Sequence, residues 1–197
     1  MSPATDGIWP PYEAFYIEAM LSNTRSAVAS LELLSEAIDR LEQDTSDDPL
    51  CNLDVNGLLN ELQNFILQAA AISRYFWPAR TGHEARAGHL REVLGVGDDN
   101  PLRNRDLRND IEHFDEKLDA YLADGIVGHI LPEYVGPLPE NNGVPTHMFK
   151  AYYLDAGVFE MLGNRYQIQP IADEILRLHN LLLSGRRTGR LNNPAPA

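Results

Sequence analysis

The chain holds one cysteine, Cys51, in 197 residues. A single thiol excludes an internal disulfide and a thiolate-based zinc site within one chain. Cys51 reads as a small buried or loop residue. No run approaches the roughly eighteen consecutive apolar residues of a membrane-crossing helix. Met1-Ser2-Pro3-Ala4-Thr5-Asp6 lacks the basic region and apolar stretch of a signal peptide. Also missing are an HExxH pair, a Walker loop, a Rossmann fingerprint and a Gly-x-Ser-x-Gly elbow. A carboxylate-bridged metal centre needs paired Glu-x-x-His motifs on facing helices, and Asp110-x-x-His113 is the nearest approach. These absences predict a cytoplasmic chain, off the membrane, with no cofactor and no metal.

Lysine is scarce, being present only at Lys117 and Lys150, and the net charge is -13. That sign opposes indiscriminate nucleic-acid binding, because phosphates are repelled. The charge is unevenly spread, however. Residues 1–60 carry eleven acids against Arg25 and Arg40, and residues 109–160 carry ten acids against the two lysines. Residues 74–108 hold seven arginines and five acids. Such a middle segment can make a local anion site, or can neutralise neighbouring acidic helices. Within it, Arg80-Thr81-Gly82-His83 and Arg86-Ala87-Gly88-His89 repeat an Arg-x2-His pattern six residues apart. This pair reads as added phosphate contacts or as a solvated connection.

What the chain does have is apolar content of 44%, enough for a real core, in a length suited to one domain. Val28, Leu31, Leu34, Ile38 and Leu41 line one face of a first helix over about 12–41, with a candidate interruption at Ser22-Asn23-Thr24. Thr45-Ser46-Asp47-Asp48-Pro49 ends it. Leu58, Leu62, Phe65, Ala69, Ile72 and Phe76 mark a deeply buried second helix, stopped at Tyr75-Phe76-Trp77-Pro78. A short helix over 84–94 closes at Gly95-Val96-Gly97. The third principal helix opens with Asp98-Asp99-Asn100 as cap and Pro101 as first residue. Leu107, Ile111, Phe114, Leu118 and Tyr121 then repeat at steps of four and three. Residues 125–145 read as a long loop. Two apolar runs around Asp155-Ala156-Gly157 read as a β-hairpin, extending through 165–168. A fourth principal helix starts at Pro170 and buries Ile171, Ile175, Leu178 and Leu182. The expected fold is mainly α: an antiparallel four-helix bundle with a small β-hairpin between the third and fourth main helices. One domain would cover 1–184, followed by a disordered tail over 185–197.

Projected at about 100° per residue, the third helix puts its apolar row in one narrow sector. Asn109 and His113 fall on nearly the opposite side, beside Arg105, Glu112 and Glu116, with Arg108 at the flank. His113 is therefore expected to face solvent, a second layer or a partner chain. Arg108-Asn109 followed by three residues and His113 resembles the Arg-x4-6-His motif of the HEPN superfamily. Around it, the stretch from Tyr75-Phe76-Trp77-Pro78 through 107–119 to the hairpin resembles uncharacterised bacterial HEPN-like proteins.

The resemblance implies a helical bundle that works as a homodimer, with two motifs forming one composite cleft. It implies metal-independent endoribonuclease chemistry, in which the ribose 2′-hydroxyl attacks the adjacent phosphate. His113 would act as general base or acid, Arg108 would neutralise charge on the phosphorane, and Asn109 would orient His113 or the phosphate. Arg103 and Arg105 are the candidate substrate-binding residues. By analogy the setting is a toxin or defence system, with RNA as substrate and an antitoxin or other protein as partner. The alternative is a non-catalytic dimerisation or protein-interaction module with an inactive motif. A third reading, a small-molecule sensor, places a ligand between the bundle and the Tyr152–Tyr153 hairpin.

Overall fold

The computed structural model describes residues 7–43, 49–123, 125–140 and 143–191. The expected break at 45–49 falls mostly outside these residues, and so do residues 192–197 of the expected tail. The side chain of Cys51 is outside them too. Among the described residues, six α-helices and a four-stranded mixed sheet make the architecture α+β. This corrects the four-helix bundle expected from the sequence. Residues fall into two compact units, one from the stretch up to Ala29, Phe65–Arg105 and the stretch from Ile171, the other from Ser30–Asn64 and Asp106–Pro170. Both long helices, α1 (Glu13–Gln43) and α2 (Val55–Phe76), contribute one half to each unit.

The first unit is helical. It adds α3 (Glu84–Leu94), a 3-10 turn at Pro101–Arg103 and α6 (Gln169–Thr188), all but the first two residues of α6. Ile17, Met20, Phe65, Ile72, Leu90, Ile175 and Leu178 are fully buried, so each helix supplies its apolar stripe to this core. The helix α1 runs unbroken through Ser22-Asn23-Thr24. Thr24 is fully buried there, with its hydroxyl 3.0 Å from Nδ1 of His179, so tertiary packing satisfies a residue of weak helix preference. The helix α3 ends on Gly95 at φ 62°, the left-handed conformation that glycine adopts freely. The helix α6 continues to Thr188 and Leu191 is buried, so the chain stays packed beyond residue 184, where the sequence places the start of a tail. Glu174 is buried against Arg177, which donates from Nε at 2.6 Å and from Nη2 at 2.7 Å.

The second unit carries the sheet, in order β1 (His129–Gly136), β2 (Thr146–Tyr153), β3 (Val158–Met161) and β4 (Asn164–Gln167). The pairing of β1 with β2 is parallel, and the other two pairings are antiparallel. The β2–β3 hairpin around Asp155-Ala156-Gly157 is the one the sequence indicates. The strand β1 lies in the stretch read as loop. Its burial runs exposed over His129–Glu133 and turns inward only at Val135 and Gly136, so no alternation marks it, and Pro132 sits inside it. An edge position tolerates a proline that cannot donate to the ladder. Met148, Ala151, Tyr153 and Val158 form the core beneath the sheet, with Tyr134 packed against them.

The expected third helix is divided. Asn100 caps as anticipated, its side chain accepting from Leu102 N–H at 3.0 Å, but it starts only the 3-10 turn. Asn104 is extended, with ψ 128°. The helix α4 then begins at Asp106, runs to Glu112, and is followed by α5 (Phe114–Ala123). His113 lies at the junction. Its N–H donates to the Asn109 carbonyl at 3.0 Å and its carbonyl accepts from Lys117 N–H at 3.0 Å, so the helical ladder is kept across it.

Candidate functional site

The α4–α5 segment places Arg108, Asn109 and His113 within two turns. Arg108 is largely covered, with 18% of its side chain exposed. Its Nη2 donates to Asn109 Oδ1 at 2.7 Å, and its Nε lies 3.2 Å from Glu112 Oε2 in an ion pair too poorly aligned to be a hydrogen bond. The ring of His113 is 56% exposed, and its Nδ1 lies 3.9 Å from Glu116 Oε2. A pair so exposed contributes little. Asn109 therefore contacts Arg108 through its side chain and His113 through its backbone.

Arg103 and Arg105 belong to the first unit and are engaged there. Arg103 donates to the Asp98 carbonyl at 2.9 Å and pairs with the Asp98 carboxylate at 3.2 Å. Arg105 donates to the carbonyl of Trp77, anchoring the aromatic end of α2.

Asp110, next to Asn109 in the motif segment, is only 5% exposed. Its Oδ2 accepts from Tyr166 at 2.5 Å and from Asn164 Nδ2 at 3.0 Å, and its Oδ1 lies 3.4 Å from Lys117 Nζ. The geometry comes from a two-residue turn. Leu162 and Gly163 both have positive φ, 47° and 84°, as the tight hairpin of β3 and β4 requires. Asn164 and Tyr166 then lie two apart on one face of β4. Burial, followed by the adjacent Asp110, pushes the Tyr166 phenol well above its ordinary value. These residues with Asp106 and Asn109 line a polar cleft of about 260 Å³. The helical projection itself hints at this. Asp110 is three residues from Leu107 and four from Phe114, at the margin of the apolar row, and Lys117 is two turns on.

A second buried carboxylate lies nearby in the same unit. Glu160 is 8% exposed and accepts from Tyr153 at 3.0 Å and from Arg165 Nε at 2.7 Å. Burial first, then Glu160, pushes the Tyr153 phenol up to about 12. Among the described residues, no group of three or more His, Cys, Asp or Glu side chains is placed to hold a metal ion. No described helix is long and apolar enough to cross a membrane.

The arrangement offers one exposed imidazole, one largely covered guanidinium and an amide that fixes it. Of the neighbouring acids Asp110, Glu112, Asp115 and Glu116, the first is held in its own cleft, Glu112 pairs with Arg108, and Glu116 makes the long, exposed pair with His113. No family model matches the chain, and no curated protein or solved structure is significantly similar to it.

Proposed function

We propose that Arg108, Asn109 and His113 form a metal-independent RNA-cleaving site, completed when two copies of the chain bring their motifs together. The observation that supports it most is the exposed His113 ring one turn beyond an Arg108–Asn109 pair joined at 2.7 Å. One imidazole takes the proton of a ribose 2′-hydroxyl, whose oxygen attacks the adjacent phosphorus. The bond to the 5′-oxygen breaks, and the partner subunit's His113 gives that oxygen a proton. The products are a 2′,3′-cyclic phosphate and a 5′-hydroxyl end. Arg108 faces the equatorial phosphoryl oxygens, where its planar fork suits two acceptors. Asn109 holds that fork rather than the imidazole.

Glu112 is the anion resident on Arg108, and substrate phosphate takes its place. Cleavage of a mixed RNA pool in EDTA tests the reading. His113→Ala is expected to lose about 10²- to 10⁴-fold in rate, and Arg108→Ala to lose activity as well. Glu112→Gln should raise the rate at low RNA, by up to about fivefold, the worth of a partly exposed pair. A folded wild type that cleaves nothing in this assay refutes the site.

The second reading, a protein-interaction module, is favoured by the edge strand β1. Ile130 is 51% exposed, Leu131 40% and the preceding Val127 80%, on the strand that forms the edge of the sheet among the described residues. A complex lost on Ile130→Lys, together with an inert RNA assay, selects it.

A further inference from the structure

We propose that the cavity at the end of α2 and the start of α3 binds a phosphate-bearing anion of nucleotide size. The cavity is about 490 Å³, within the range of small-molecule sites. Arg74, Arg80 and Arg86 line it together with His83 and Tyr75, and among the described residues no carboxylate lines it. In a chain of net charge -13 this is a concentrated patch of the opposite sign. A concave wall of like charges focuses the field on whatever enters.

The local chain builds the patch in three steps. Pro78 ends α2 after Phe76, which releases Arg80 onto the connection while Arg74 stays on the last turn. Gly82, at φ 89°, turns the chain back toward α3. Glu84, the nearest acid in sequence, accepts from Gly82 N–H at 2.8 Å and is tied to that turn. Arg86 then returns on the first turn of α3, its guanidinium 5.6 Å from the centre of the Tyr75 ring. Tyr75 is itself held edge-on by Tyr16. Among the described residues the Nε of Arg86 is buried with no hydrogen-bond partner. His89, the other histidine of the repeated Arg-x2-His pattern, has turned away and lies 4.0 Å from Glu13.

A phosphate ester answers these groups best. Guanidinium forks meet phosphoryl oxygens in pairs, and several together favour a dianion over a carboxylate. The volume leaves room for more than inorganic phosphate. Every residue involved belongs to the first unit, so the site stands independently of Arg108 and His113.

Titration calorimetry of the full chain with pyrophosphate and with ADP tests it. The expected result is one saturable site with Kd below about 1 mM, weakened by added salt. Arg80→Ala, at an exposed position, should weaken binding about tenfold or more, with Arg80→Lys recovering part. Arg187→Ala and His113→Ala should leave it unchanged. A 5′-phosphorylated trinucleotide that competes with ADP, where the 5′-hydroxyl form does not, identifies an RNA end as the source. Binding of ADP without such competition identifies a free nucleotide. No saturable binding by the wild type, equal affinity in Arg80→Ala, or equal competition by both trinucleotides overturns the proposal.

Discussion

Replacing Asp110 by alanine removes the acceptor shared by Tyr166, Asn164 and Lys117. Two of these are hydrogen bonds to a charged oxygen, each contributing about 1.5–3 kcal/mol. Lys117 is half-exposed, so its ion pair adds no more than about 1 kcal/mol. Water can re-solvate part of the opened cleft, which discounts the sum. The expected loss is about 2–4 kcal/mol, read as a lower urea midpoint at unchanged slope. Asp110→Asn keeps one carbonyl acceptor for Tyr166 and should lose about half as much. A double-mutant cycle with Tyr166→Phe isolates the phenol–carboxylate pair, with an expected coupling of about 1.5–3 kcal/mol. An Asp110→Ala variant within about 0.5 kcal/mol of wild type, the range of an ordinary surface change, refutes the role assigned to the cleft. So does a coupling indistinguishable from zero.

Two other expectations follow from local geometry. Tyr153 and Tyr166 should resist ionisation past pH 10, since burial and neighbouring carboxylates raise both phenols. An unfolded tyrosine releases its proton near 10 while folded Tyr153 keeps its proton until about 12. Stability from this group is therefore complete below pH 10 and is lost as pH rises through about 12. Burial raises Tyr121, Tyr134 and Tyr152 as well, so an ultraviolet titration of phenolate should show Tyr153 and Tyr166 in the latest part of a late-titrating group, and Tyr153→Phe should remove one phenolate from that part. Gly128→Ala should cost about 2–4 kcal/mol. At φ 128° a new Cβ would sit 2.1 Å from the Pro145 carbonyl oxygen that accepts from His129 N–H. Thermal unfolding, together with faster amide exchange in β1, checks this, and wild-type values in both would contradict it.

By itself the sequence determined what depends on neighbours a few residues away. Periodic apolar rows placed α1, α2 and α6, because one helix face must be buried wherever the chain folds, and Gly95-Val96-Gly97 marked the close of α3. Pro78, Gly95 and Asn100 set ends and caps by backbone chemistry that needs no tertiary partner. Asp155-Ala156-Gly157 marked a hairpin turn, and the projection left His113 off the main apolar row, where its ring is exposed. Tertiary structure alone decided what depends on partners distant in sequence. The strand β1 exists because β2 pairs with it in parallel from Thr146 onward, and its own residues carry no alternation. The division of 101–123 into a 3-10 turn and two helices was likewise not visible in an unbroken apolar repeat. The burial of Asp110 was hidden most deeply. A carboxylate among Asn109, Glu112 and Asp115 reads as one more surface charge. Only the β3–β4 turn, more than fifty residues later, brings Asn164 and Tyr166 to hold it, and a charge leaves water only where such donors are already in place.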